Sequence, residues 1–332
     1  MPNHGDAETQ TTPPRRGIKP AKPAMTEHAT AVDENSPVKF SETALRSGKR
    51  IALYLGDCLK GMEQLLGPDS VDVIVTSPPY NIGVQYGQYN DRIPREAYLK
   101  WIGRWGELVR LVLKPCGSLF LNIGSKPSDP WVPFDVAGRF RDTLVLQNVF
   151  HWIKSIYVEN ESYGETIRLN VGHFKPINSK RFVTDTHEYV FHFTRSGNVE
   201  LDRLAVGVPY KDTSNIARWK SSGSGVRCRG NSWYIPYDTI QRRASERPHP
   251  ASFPPELAHM CIELQGRAKV DRVLDPFLGI GNTAVACARL GVEMVGFDID
   301  EEYLRVADAM VKDAARKASS PETPDLCQLT LE

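Results

Sequence analysis

Six residues, Thr76-Ser77-Pro78-Pro79-Tyr80-Asn81, stand directly after the apolar run Val71 to Val75. Proline cannot donate to a strand ladder, so a strand over 71–75 must end at Ser77. The carbonyls of Ser77 and Pro78 then become free acceptors at a strand's C-terminal edge, where open α/β sheets place their chemistry. Tyr80 adds a flat ring beside them. A planar ring next to rigid acceptors suits a flat target carrying an NH2, such as a nucleobase taken out of its stack. Alone, the tetrapeptide also reads as a Pro-Pro turn with a surface tyrosine, so the decision rests on the rest of the chain.

A second constellation lies near the other end. Val270 to Leu274 reads as a strand, Asp275-Pro-Phe277-Leu-Gly279-Ile-Gly281 as a tight loop, and Asn282 or Thr283 as the opening of a helix to Leu290. Gly291 stops that helix, and Glu293 to Phe297 makes the next strand. Glycines at 279 and 281 are expected to let the backbone approach a ligand where a Cβ would collide. Asp298 ends the following strand 17 positions beyond Gly281, where a Rossmann-like acid accepts hydrogen bonds from ribose hydroxyls. Gly279 to Ala284 also matches G-x-G-x-x-A, the pattern of dinucleotide oxidoreductases. Against that class, the loop begins Asp-Pro-Phe and no hydride-transfer site is evident upstream.

The elements between must hold these two stretches together. Ile51 to Leu55 reads as a strand, Gly56-Asp57-Cys58 as a turn, and Met62, Leu65 and Leu66 as the apolar side of a short helix leading to strand 71–75. In this β-α-β unit Asp57 falls on the same edge as Ser77, as a helix cap or as part of a site. Residues 82–91 form a mobile loop able to fold over a substrate. Pro94 starts a helix with Tyr98, Ile102, Trp105, Leu108, Val109 and Val112 on its apolar face. Lys114 to Gly117 breaks it, and order proper begins near Ile51. Ser118 to Asn122 is a strand, Pro133 to Thr143 a helix, and Leu146 to Ile153 another strand. Such alternation predicts a parallel-type sheet.

Two patterns mislead. Pro115-Cys116-Gly117 resembles the nucleophile of carbon-directed cytosine methylation, but its third residue is Gly and a turn is required there. His187-Glu188 to His192 looks zincin-like, yet the second histidine is five residues on rather than four, and Tyr189 to Phe193 reads as a strand. No metal is expected.

The chain has 332 residues, 41% hydrophobic and 24% charged, with a net charge of only +1, the composition of a globular protein. Cys58, Cys116, Cys228, Cys261, Cys287 and Cys327 are scattered without a CxxC pair, which fits a reducing cytoplasm better than a disulfide framework. No run has membrane length. Residues 1–36 read as a disordered tail, and 317–332 as a tail. Any basic surface is local. Residues 195–248 hold ten basic against five acidic side chains, a net +5, with Trp219, Trp233, Tyr234 and Tyr237 interleaved. Phosphate contact with base stacking is one reading, and a solvated irregular insertion the other.

Taken together, Ser77 to Tyr80 early and Phe277-x-Gly279-x-Gly281 late resemble the beta-class DNA amino-methyltransferases over residues 50–310. The resemblance implies transfer of a methyl group from S-adenosylmethionine to an exocyclic base nitrogen of double-stranded DNA, with cytosine N4 preferred over adenine N6 because Ser stands at 77. It implies a Rossmann-like α/β fold: a mostly parallel sheet of about seven strands, ending in a reversed hairpin, with a small recognition insertion. The catalytic half would be 37–194, the target-recognition region 195–248 and the cofactor half 249–316. Ser77, Pro78, Pro79 and Tyr80 would be catalytic. Cofactor contacts would come from Asp57, Phe253, Asp275, Phe277, Gly279, Gly281, Thr283 and Asp298, and DNA contacts from Lys220, Arg227, Arg229, Arg242 and Arg243. A homodimer and a cognate restriction endonuclease are left open as partners. Protein glutamine methyltransferases share an Asn-Pro-Pro-Tyr tetrad but in the reverse order with the cofactor loop, and a DNA-binding protein without activity would not need an intact tetrad.

Overall fold

Every residue of Val71–Thr76 is buried, as expected of a strand covered on both faces. A computed structural model describes residues 36–162, 165–172, 177–210, 225–237 and 252–319, and this strand, β3, lies inside its main sheet. In chain order the sheet's other strands are β1 (Val38–Ala44), β2 (Arg50–Leu55), β4 (Leu113–Ile123), β5 (Val145–Ser162), β6 (Glu165–Gly172), β7 (His187–Thr194), β10 (Ser232–Pro236), β11 (Arg272–Asp275) and β12 (Glu293–Asp298). The spatial order is β1-β2-β12-β11-β3-β4-β7-β5-β10, with β6 on β5. Strands β8 (Val208–Pro209) and β9 (Val226–Arg227) form a separate antiparallel pair.

The run β2-β12-β11-β3-β4 is parallel, so five C-terminal ends arrive at one edge. β7 is antiparallel to both β4 and β5, so its first residues come to that same edge. This is the α/β architecture that the chain's alternation implied, with the reversed hairpin that the family resemblance implied. Among the described residues the sheet has ten strands, because β1, β6 and β10 extend the seven from β2 to β5.

Successive strand residues point to opposite faces, and two apolar layers result. Ile51, Leu53, Val73, Val75 and Phe120 pack against α4 (Pro255–Leu264), α5 (Asn282–Leu290) and α6 (Glu301–Ala318). Ile74, Leu119, Leu121 and Phe297 pack against α1 (Cys58–Leu65), α2 (Arg95–Val112) and α3 (Val132–Gly138). All six apolar-face residues expected on α2 are buried. Trp105 is fully buried, and losing an aromatic side chain of that size from a core costs about 3–5 kcal/mol, so α2 is firmly seated.

The local expectations need several corrections. Order starts before Ile51, because β1 pairs with β2 even though its sequence VKFSETA has little apolar alternation. Leu65 is 44% exposed, while Leu66 is buried. The helix expected over 133–143 ends at Gly138 and finishes in turns. Pro115 to Gly117 is no simple turn. It is a bulge inside β4, where the register to β3 jumps from Val71↔Leu113 to Val73↔Ser118. The strand expected to stop at Ile153 runs to Ser162 because β6 pairs with its extension. Trp233, expected to be available for base stacking, is 1% exposed and packs on Phe150, since β10 joins the sheet beside β5. His192 does lie in a strand, with its ring between Ser118 Oγ at 2.9 Å and Asn148 Nδ2 at 3.0 Å. Burial pushes its pKa down to about 3, so it stays neutral.

Candidate active site

Strand β3 ends at Thr76, whose hydroxyl donates to Asp275 Oδ1 at 2.6 Å and ties the two sequence stretches together. The chain then turns through Ser77 to Tyr80. The Tyr98 hydroxyl of α2 donates to the Pro79 carbonyl at 2.7 Å, and this clamps the turn. Asn81 leaves it in the left-handed region at φ 55°, a conformation that non-glycine residues hold only when their surroundings require it. Here buried Asp91 supplies the requirement. Its carboxylate accepts the amides of Asn81, Ile82, Gly83 and Val84 at 2.7, 3.1, 3.0 and 2.9 Å.

Ser77 Oγ lies 2.8 Å from Tyr80 Oη. Tyr80 Oη lies 3.1 Å from Glu188 Oε2 and 3.4 Å from Asn122 Oδ1. Glu188 in turn pairs with Lys154 Nζ at 2.8 Å. Asn122 comes from the end of β4, Lys154 from β5 and Glu188 from the start of β7, which reaches this edge only because β7 is reversed. Tyr80 is 7% exposed; burial first, and the Glu188 carboxylate second, push its phenol well above the usual range, so it keeps its proton.

A cleft of about 850 Å³, including its open mouth, runs from Gly56 and Asp57 past Ser77, Pro79 and Tyr80 to Phe277, Asp298 and Tyr303. One wall is aromatic, with Trp101 5.4 Å from the Phe277 ring and Tyr89 against Trp101, while buried Trp105 backs Phe277 at 5.0 Å. The 82–91 loop folds back onto this cleft, placing Tyr86 and Tyr89 in its lining and the Gly87 amide 3.3 Å from the Tyr303 hydroxyl. Asp57 caps α1 by accepting the Lys60 amide at 3.0 Å and also lines the cleft, so both roles considered for it are compatible. Asp298 accepts the amides of Gly279 at 2.7 Å and Asp300 at 2.9 Å. Burial nevertheless pushes its pKa up to about 6.

Not every residue singled out in the sequence reaches this lining. Asp57, Ser77, Pro79, Tyr80, Phe277 and Asp298 do. Asp275 and Thr283 are buried behind it: Asp275 is held by Thr76 and the Phe277 amide, with burial raising its pKa to about 6, and Thr283 donates to the Val75 carbonyl. Phe253 is 6% exposed, and its carbonyl accepts Asn282 Nδ2 at 2.6 Å. Pro78 is buried. Gly279 and Gly281 have φ of 53° and 85°, and a Cβ on Gly281 would meet Ala307 of α6 at 2.7 Å. The chain's own packing thus requires that glycine.

Arg227 is exposed on β9. Arg229 Nε donates to the Val206 carbonyl at 2.9 Å. Lys220, Arg242 and Arg243 lie outside the described residues. Tyr86 and Tyr89 belong to the 82–91 loop expected to fold over a substrate, and Tyr303 follows Asp298 in the segment that resembles the family's ribose-binding one. Trp101, by contrast, carries no sequence signal beyond being aromatic, and neither Asn122 nor Glu188 stands in a recognisable catalytic pattern.

An apolar, aromatic-walled slot with carboxylates at the ends of two neighbouring strands matches what a nucleoside requires: flat surfaces for the base and acceptors for hydroxyl and amine protons. A DNA methylase family model specific to N6 and N4 enzymes matches residues 71–309. The type II methyltransferase M.BglII of Bacillus subtilis is 28% identical over 265 residues, 77% of this chain and 67% of that protein. M.ScaI of Streptomyces caespitosus is 29% identical over 267 residues, 77% and 80% of the two chains. Among solved structures, the cytosine-N4-specific PvuII DNA methyltransferase shares the fold with a TM-score of 0.56 at 18% identity, over 85% of this chain and 96% of that one. TTHA0409 of Thermus thermophilus, solved in complex with S-adenosyl-L-methionine, does so with a TM-score of 0.50 at 23% identity, over 81% and 94%. Since the family match spans most of the chain and both of its signature stretches meet at one cleft, the chain belongs to the N6/N4 DNA methylase family and is an S-adenosylmethionine-dependent DNA methyltransferase.

Proposed function

We propose that this enzyme methylates the exocyclic N4 of cytosine in double-stranded DNA, within a restriction-modification system. The observation that carries the choice of base is Ser77 at the head of the tetrad, with its hydroxyl at the cleft. In the family that the tetrad resembles, Ser at this position mostly accompanies cytosine N4, and Asp or Asn mostly adenine N6, although some serine enzymes act on adenine. The restriction-modification context rests on relatives named type II methyltransferases, and a cognate endonuclease would be the partner.

An amino group on a base is a poor nucleophile, because its lone pair is delocalised into the ring. Ser77 Oγ and the Pro78 carbonyl would accept its two hydrogens, favouring a tetrahedral nitrogen and stabilising the charge that develops on it. Pro79, tied to Tyr98, keeps the turn stiff, and the Tyr80 ring would face the flipped base, a contact worth about 1–3 kcal/mol. Bound S-adenosylmethionine supplies an electrophilic methyl group. Asp57 would hold its adenine amine, Asp298 its ribose and Phe277 its base face, while Asp275, Thr283, Gly279, Gly281 and Phe253 shape the loop from behind. Mass spectrometry of digested DNA from an expressing, otherwise methylation-free host should show N4-methylcytosine. N6-methyladenine alone would overturn the base choice and leave the family unchanged.

Residues 195–248 would contact the DNA. Each phosphate neutralised releases counterions, so binding should weaken steeply with salt. Arg227→Ala should lower affinity and reduce the slope of log K against log salt by about 1, with cofactor affinity unaltered. Arg227 is the cleaner probe, because Arg229 also braces Val206. Salt-independent binding of the wild-type enzyme would refute this assignment of the region.

A further inference from the structure

We propose that Glu188, held by Lys154, is a positioning residue that sets the direction of the hydrogen bonds through Tyr80 to Ser77 and takes up the proton released by the methylated amine. The proposal rests on the reading of Ser77 given above.

The direction follows from counting protons. Tyr80 Oη has one proton and three oxygen neighbours: Ser77 Oγ at 2.8 Å, Glu188 Oε2 at 3.1 Å and Asn122 Oδ1 at 3.4 Å. A carboxylate only accepts, and the other Glu188 oxygen is taken by the Lys154 ammonium at 2.8 Å. Asn122 points its Nδ2 at the Tyr189 carbonyl, so its oxygen is also an acceptor, at longer range. The Tyr80 proton therefore goes to Glu188, the charged and nearer acceptor. Ser77 must then donate to Tyr80 Oη, which leaves the lone pairs of Ser77 Oγ for the amine. Without Glu188, either of the two hydroxyls can be the donor.

The same chain gives the excess proton an exit. Methyl transfer forms the nitrogen–carbon bond, breaks the carbon–sulfur bond with its electron pair left on sulfur, and leaves the nitrogen positive with one proton too many. That proton passes to Ser77 Oγ, the Ser77 proton to Tyr80 Oη, and the Tyr80 proton to Glu188 Oε2. The N–H electron pair stays on nitrogen, and Glu188 ends neutral.

Glu188→Gln tests this with little change of shape. Lys154 only donates, so it takes the amide oxygen and turns the amide NH2 toward Tyr80. Tyr80 then donates to Ser77, and the Ser77 proton points at the amine. The single-turnover methylation rate should fall on the order of 10²-fold, within the range for positioned proton transfer, while dissociation constants for S-adenosylmethionine and DNA stay within about twofold, as binding alone predicts no loss. Tyr80→Phe keeps the ring and the ion pair, so it should show the same rate loss, and adding Glu188→Gln to it should cost little more. A rate within about threefold of wild type in either folded variant, or fully additive losses, would overturn the proposal. If Glu188→Gln does not fold, Tyr80→Phe decides alone by the same criterion. Full activity of Ser77→Ala would instead defeat the underlying reading of Ser77, whereas a slow Ser77→Ala beside full-rate Tyr80→Phe and Glu188→Gln variants would defeat the relay only.

Discussion

Ser77→Ala should lower the rate of methyl transfer on the order of 10²-fold, by analogy with the loss of one preorganised polar group at a developing charge. The hydroxyl lies at the cleft and 2.8 Å from Tyr80 Oη, so its removal takes one of two proposed acceptors from the amine and leaves the backbone in place. Ser77 is part of no core cluster, and its side chain fixes no neighbouring loop, so the melting temperature should stay close to wild type. Titration calorimetry should show unchanged affinity for S-adenosylmethionine, because Asp57, Phe277 and Asp298 are untouched. The loss should therefore appear in kcat rather than in binding. A variant that melts normally and methylates at the wild-type rate would remove Ser77 from the chemistry.

Asp298→Asn should weaken S-adenosylmethionine binding by 10- to 100-fold, on the scale of about 1.5–3 kcal/mol for hydrogen bonds to a charged group. Asp298 accepts the amides of both Gly279 and Asp300, and the amide nitrogen of asparagine would face one of these donors. The variant thus perturbs the cofactor loop as well as the acceptor for the ribose. The wild-type enzyme should show a related pH effect. Burial pushes the folded-state pKa of Asp298 to about 6 from an ordinary value of 3.8, so cofactor affinity should fall as the pH is lowered from 7 to 5, while Asp298→Asn should lack that dependence. The stability effect has the opposite sign. A raised carboxyl pKa means that the folded chain holds the proton more tightly than the unfolded one, so Asp298 costs nothing below pH 3.8. Its cost grows as the pH rises from there and levels off above 6. Asp275 acts in the same direction. Calorimetry giving equal affinity at pH 5 and pH 7.5 for the wild type would exclude Asp298 as the ionised partner.

What could be read from the chain is local. Two prolines ended β3, Gly281 and Gly291 bracketed α5 in left-handed conformations, and the 3.6-residue period of α2 placed its buried face correctly. Those signals depend on a few adjacent residues, and so did the order of tetrad and cofactor loop that led to the family. Strand β1 was missed because a polar strand is held by backbone pairing to β2 rather than by a buried face. Trp233 was misassigned because composition cannot tell an aromatic residue facing a groove from one facing a core, and the pairing of β10 with β5 settles that. The Pro115 to Gly117 bulge depends on a register that only the neighbouring strand imposes.

The same division holds at the active site. By itself the sequence determined which residue types the chain brings to the chemistry: an acceptor-rich Ser-Pro-Pro-Tyr turn, a glycine loop and strand-end acids, each set by covalent geometry over a few bonds. The tertiary structure alone decided that Glu188 and Lys154 stand behind Tyr80, that Asp275 supports the site while Asp298 faces it, and that Gly281 packs against Ala307. Glu188 is 108 positions from Tyr80, and no local pattern encodes a contact at that separation. It exists because β7 runs against its neighbours and delivers its first residues to the edge where the parallel strands end.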